Sequence, residues 1–155
     1  MIKPRKPPYS DTKADPTTSE VQISKLLEEY GVSGTQWTKD FSKKTVSLRF
    51  VVEAEIKGKR MNIAIELIPP LFEARRRTYD QISGRYEKIY APNWAQSFRL
   101  LYWYLKTKLE AIAYGLTTVE KEFLSDIVHK LPDGSTQTLY NSLWHRIMIN
   151  GDVWY

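Results

Sequence analysis

The sequence predicts an α+β domain: a three-stranded antiparallel meander packed on a long central helix, with an N-terminal helix and two shorter C-terminal helices. Asn93 to Tyr114 keeps apolar residues at helical spacing over its whole length. Thr35 to Leu67 alternates with a period of two. Thr-x-x-Glu boxes at Thr17 and Thr117 mark two further helix starts, where each side chain can satisfy a backbone N–H that the first turn leaves free.

In chain order, residues 1–16 are rich in Pro and Lys and show no periodicity. Lys3, Arg5, Lys6 and Lys13 make them a flexible basic arm. A single domain is expected over 17–150, followed by an aromatic tail, 151–155, ending in Trp154 and Tyr155. The first helix reads as Thr17 to Tyr30, with Ile23, Leu26, Leu27 and Tyr30 on its apolar face and Gly31 ending it. A short strand is expected around Gln36–Thr38, then a turn over Asp40–Lys44. A long strand follows, with Val46, Leu48, Phe50 and Val52 inward. Lys57-Gly58-Lys59 marks a hairpin turn, and the return strand puts Met61, Ile63, Ile65 and Leu67 inward until Pro69-Pro70 stops it.

Leu71 to Ala91 reads either as a helix broken at Ser83-Gly84 or as a loop ordered by a partner. The central helix follows, capped by Asn93 and ended by Gly115. Trp94, Phe98, Leu101, Leu105, Leu109 and Ile112 form its core stripe. Leu100, Tyr104 and Ala111 widen that stripe, and Arg99, Trp103, Lys106 and Glu110 lie opposite. A helix over Thr117–His129, a Pro132-Asp133-Gly134 turn and a last helix at about Thr138–Met148 complete the chain. Leu139, Leu143 and Ile147 are expected inward on that last helix.

Composition narrows the function. The chain has no Cys, so disulfides and thiolate metal sites are excluded, and only His129 and His145 could supply imidazole. No apolar run is long enough for a membrane span and no secretory signal is visible, so a cytoplasmic protein without membrane contact is expected. The net charge of +5 suits a polyanion, and many of the ten Tyr and five Trp sit beside Lys or Arg. Cations interleaved with aromatics are the compositional mark of single-strand binding, where phosphates meet cations and bases stack on rings.

Non-catalytic binding of nucleic acid, with single-stranded DNA as the expected ligand, is therefore the leading expectation. Phosphates would meet Arg75, Arg76, Arg77, Arg85, Lys88, Arg99 and Lys106. Bases would stack on Tyr79, Tyr86, Tyr90, Trp103 and Trp37. Each group also has a plainer reading: solvated charge for the cations, core packing for Trp103. A second expectation is an interaction or assembly module, as a homodimer or with a protein partner, motivated by the exposed-looking aromatics. A third is a metal-dependent nuclease using Asp40, Glu53, Glu55 and Lys57, the last three in a Glu53–Lys57 segment that contains an E-x-K triplet and enters a hairpin turn. No nucleotide-phosphate loop, nucleophile elbow or paired-histidine motif is present, and no cofactor or metal is expected.

Part of the chain resembles a group of small phage and prophage proteins of unassigned function. The segments are Arg99-Leu100-Leu101, Lys106-Thr107-Lys108-Leu109-Glu110-Ala111-Ile112, Gly115-Leu116, Glu120 to Leu124 and Pro132-Asp133-Gly134, with a weaker echo at Leu26 to Gly31. The shared pattern is RALLL…IKAKLEAV…G…FEEEFL…PDG, with Thr107 here where Ala is usual. The resemblance implies a mobile-element origin, among genes that handle DNA, and supplies no catalytic residues. The Arg- and Tyr-rich stretch and the aromatic tail lie outside it.

Overall fold

The first helix, α1 (Pro16–Glu29), starts one residue earlier than the Thr17–Tyr30 span predicts, with its N-cap two residues before the Thr17 of the box. Asp15 is the N-cap, and its carboxylate accepts from the Thr17 amide at 2.8 Å. Pro16 occupies the first helical position, where its missing N–H costs nothing. The structure, a computed structural model, describes residues 2 and 6–150, without the side chains of 145 and 147–150. Lys3, Arg5, the aromatic tail 151–155 and the inward placement expected for Ile147 lie outside what is described. Within the N-terminal arm, the Pro8 carbonyl accepts from Gln96 Nε2 at 2.7 Å, and Gln96 is buried.

The meander forms as expected from β1 (Gly34–Asp40), β2 (Thr45–Ile56) and β3 (Lys59–Leu67), antiparallel in the order β1-β2-β3. The turn between β2 and β3 has positive φ at both Lys57 and Gly58, which matches the strand twist of a two-residue hairpin. Val46, Leu48, Phe50 and Ala54 of β2 are buried, as are Ile63, Ile65 and Leu67 of β3. Val52 is only half-buried and Met61 is exposed, although Ala54, paired with Met61, is buried.

The central helix, α2 (Trp94–Ala113), has the predicted caps. The Asn93 side chain accepts from the Gln96 amide, and Gly115 takes φ 77°. Beyond it, the Gly115 and Leu116 amides close back on the Ile112 and Ala111 carbonyls. This pairing satisfies the last carbonyls of the helix and needs a residue that tolerates positive φ. Leu101, Leu105 and Leu109 of α2 join Ile23, Leu26 and Leu27 of α1 and Leu48, Phe50 and Ile65 of the sheet in one core. Tyr104 on the widened flank stays partly exposed.

Two segments depart from expectation. Leu71 to Ala91 is neither helix nor loop: β4 (Glu73–Asp80) and β5 (Arg85–Pro92) form an antiparallel ribbon. Its residues show no apolar alternation, so no sheet-like pattern announces it. The expected Thr117–His129 helix is only five residues long, α3 (Val119–Phe123), followed by a single 3-10 turn. Phe123 enters the core edge-on to Phe50, and Ile127 then bridges to Ile65 of β3, which pulls the chain into extended form. His129 therefore lies on a strand, β6 (Val128–Lys130), paired with β7 (Thr136–Thr138) across the Pro132-Asp133-Gly134 turn. The last helix, α4 (Leu139–Asn150), has Thr138 Oγ1 accepting from the Asn141 amide at its start. Leu143 on α4 is exposed rather than inward, and among the described residues α4 packs chiefly on β7 and the 3-10 turn.

Candidate nucleic-acid interface

The β4–β5 ribbon contacts chiefly itself. Eight residues per strand give it a length of about 27 Å. Its foot is closed by the Asn93 amide donating to the Phe72 carbonyl at 2.7 Å, directly before α2 begins. A strand alternates its side chains between two faces, so the register sorts the predicted site. One face carries Arg75, Arg77 and Tyr79 opposite Tyr90, Lys88 and Tyr86, with Glu73 and Pro92 at the foot. The other carries Arg76 and Arg85 with Asp80 and Glu87, alongside Ala74, Thr78, Ile89 and Ala91. The first face is thus cationic and aromatic, and the second has balanced charge.

On the cationic face Arg75 donates to the Tyr90 hydroxyl at 3.3 Å and lies 5.8 Å from the centre of its ring. Nearer the tip, Tyr79 and Tyr86 meet edge to face at 5.2 Å. Such cross-strand pairs, rather than burial, hold the two strands in register. Tyr79, Tyr86 and Tyr90 are all more than half exposed. Among the described residues, Arg75, Arg76, Arg77, Arg85 and Lys88 form no ion pair. The face therefore presents ring surface and uncompensated charge together.

The tip is held from inside. Asp80 accepts from the Ile82 and Ser83 amides, at 2.9 and 3.2 Å, and the Gly84 amide closes on the Asp80 carbonyl. Hydrogen bonds from Ser83 and from the Ile82 amide keep the Asp80 carboxyl below its ordinary 3.8. Ile82 projects from this turn at 98% exposure. No periodicity or motif in the sequence marks it, although an isoleucine between Asp80 and Gly84 is out of keeping with turn chemistry.

The helix part of the predicted site is separate. Trp103 is nine residues along α2 from Trp94, about 14 Å down the axis. It is partly exposed, with Arg99 5.7 Å and Lys106 5.2 Å from its ring centre. Both cations have other partners: Arg99 donates to Gln22 of α1 at 2.7 Å, and Lys106 lies 3.9 Å from Glu110. Trp37, on edge strand β1, is half-buried with its ring 5.5 Å from Phe98 and belongs to the rim of the core. A cleft of about 360 Å³, walled by Phe41, Val46, Trp94 and Phe98, opens beside Pro92 at the ribbon foot.

The acidic constellation is not assembled. Asp40 ends β1 opposite Thr45, whereas Glu53, Glu55 and Lys57 lie toward the far end of β2, roughly 26 Å away. The Asp40 carboxylate is occupied by the Ser42 hydroxyl and the Ser42 and Lys43 amides, and Glu53 pairs with Arg60 at 3.8 Å. Among the described residues no group of three His, Asp or Glu side chains could hold a metal ion. Nor is any described helix long and apolar enough to cross a membrane. Compared with known proteins, the chain matches no family model, no curated protein and no solved structure.

Proposed function

We propose that the protein is a non-catalytic nucleic-acid-binding domain that grips its ligand with the Arg75–Arg77–Lys88 face of the ribbon. The observation that carries this reading is the sorting of cations and tyrosines onto one side of a projecting hairpin. Three cations along that face match a row of phosphates, whose neutralisation drives binding by releasing counterions. Tyr79, Tyr86 and Tyr90 offer rings at the same level, and a ring can stack only on a base whose face is free. Single-stranded DNA is therefore the preferred ligand. The resemblance of Lys106 to Ala111 and its flanking segments to phage proteins is what supports a mobile-element setting for this activity.

Fluorescence anisotropy of a labelled single strand, with a duplex of the same sequence as control, tests the reading at two salt concentrations. Binding that favours the single strand and weakens steeply with salt is expected. Absence of binding at low salt would refute it.

A second reading, assembly with another copy or another protein, draws on α4. Tyr140, Leu143 and Trp144 are each more than half exposed there, and the Tyr140 and Trp144 rings stack nearly parallel, 6.3 Å apart. Light scattering on a Leu143→Ser/Trp144→Ser variant separates the two: an oligomer that becomes a monomer supports assembly, and an unchanged monomer ends it.

A further inference from the structure

We propose that Ile82 is a wedge that inserts between neighbouring bases of the bound strand and unstacks them. This rests on the nucleic-acid reading of the ribbon and assigns its tip a separate role. Turns are ordinarily polar, and an isoleucine left in water forgoes all the stabilisation of burial. Ile82 is 98% exposed at the far end of the ribbon, where no other described residue covers it. It is not exposed because the turn is loose. Asp80 fixes the Ile82 and Ser83 amides, and Gly84 reaches φ 66° to return the chain to β5. A held apolar tip is what a wedge requires, since a floppy side chain would fold back on the ribbon rather than enter a base step.

Its neighbours suit the same occupant. Tyr79 and Tyr86 form the last ring pair before the turn, on the cationic face. Apolar side chains inserted between base steps unstack them in this way. Bases parted by Ile82 would find the rings of that pair at the strand ends next to the turn. Unstacking is cheapest where pairing is absent or faulty. The wedge therefore supplies a physical cause for preferring a single strand or a mismatch over a matched duplex.

The test uses 2-aminopurine, whose fluorescence rises when its neighbours unstack. It is placed centrally in a single strand, a mismatched duplex and a matched duplex. Each is titrated at low salt with the full chain and with its Ile82→Ser and Ile82→Leu variants, and affinity is read in parallel by anisotropy. The wild type and Ile82→Leu should raise the fluorescence of the single strand and the mismatch at saturation. Ile82→Ser should bind roughly tenfold more weakly and leave the fluorescence flat. A bound strand whose fluorescence never rises, or rises equally with Ile82→Ser, overturns the wedge and leaves the phosphate grip standing. No strand bound by any of the three overturns both. Binding to phosphatidylglycerol vesicles in place of the strands, lost in Ile82→Ser, would also overturn it, making the tip a lipid-inserting one.

Discussion

The two faces of the ribbon should respond differently to loss of charge. Replacing Arg75, Arg77 and Lys88 by glutamine removes the three cations of the tyrosine-bearing face, and replacing Arg76 and Arg85 removes those of the other. For a single strand, each neutralised phosphate contributes about 0.7 to the slope of log affinity against log salt. The triple variant should therefore have a slope shallower by roughly 2. Over a fourfold rise in salt, from about 50 to about 200 mM, the wild type should lose about twentyfold more affinity than this variant. The Arg76→Gln/Arg85→Gln pair should keep a slope close to that of the wild type, because Asp80 and Glu87 already balance its charge. Anisotropy titrations across a salt series measure both, and far-UV circular dichroism checks that each variant stays folded. Equal flattening per charge removed from either face would refute the argument, since net charge rather than a sided surface would then set the affinity.

Three other perturbations have expected outcomes. Phe123, 1% exposed and edge-on to Phe50, anchors the C-terminal segment, so Phe123→Ala should cost about 3–5 kcal/mol in urea unfolding; a cost under about 1 kcal/mol would remove it from the core. The hydrogen bond from Lys108 at 2.8 Å holds the Glu122 carboxyl below its ordinary 4.5. A depressed carboxylate stabilises the fold above 4.5, and that contribution is lost as pH falls through the folded value. Burial instead pushes Asp126 above 3.8, so acid relieves it; Glu122→Gln should thus flatten the fall in melting temperature on acidification, and an unchanged profile would count against the pair. Trp103→Ala should lose about 0.5–1 kcal/mol for each cation at its ring while the salt slope stays constant. Loss of strand binding in that variant would move α2 into the interface.

The parts of this chain that were legible in its sequence are those whose signals are local. The period of the central helix, its Asn93 cap and Gly115 exit, and the alternation of the meander each follow from the residues of one segment meeting one buried surface. The Lys57-Gly58 turn is likewise a local matter of backbone sterics. Residue types at the candidate site were legible too, since arginines beside tyrosines can be read without a fold.

What the tertiary structure decided depends on partners distant in the chain. No residue of 73–92 is fully buried, so neither helical nor strand periodicity is imposed on them, and the pairing of β4 with β5 makes them a ribbon. That register, and not the order Arg75-Arg76-Arg77, puts Arg76 on the face away from its neighbours and gathers Lys88, Tyr86 and Tyr90 with Arg75. The same holds at the C-terminus. The Thr117 box promised a long helix, but the bridge from Ile127 to Ile65 and the seat of Phe123 on Phe50 reward an extended chain after one short turn. Trp37 and Trp103 read alike in the sequence; packing on Phe98 makes one part of the core rim, and exposure on α2 leaves the other between two cations. Burial belongs to the assembled surface, so no segment carries it alone.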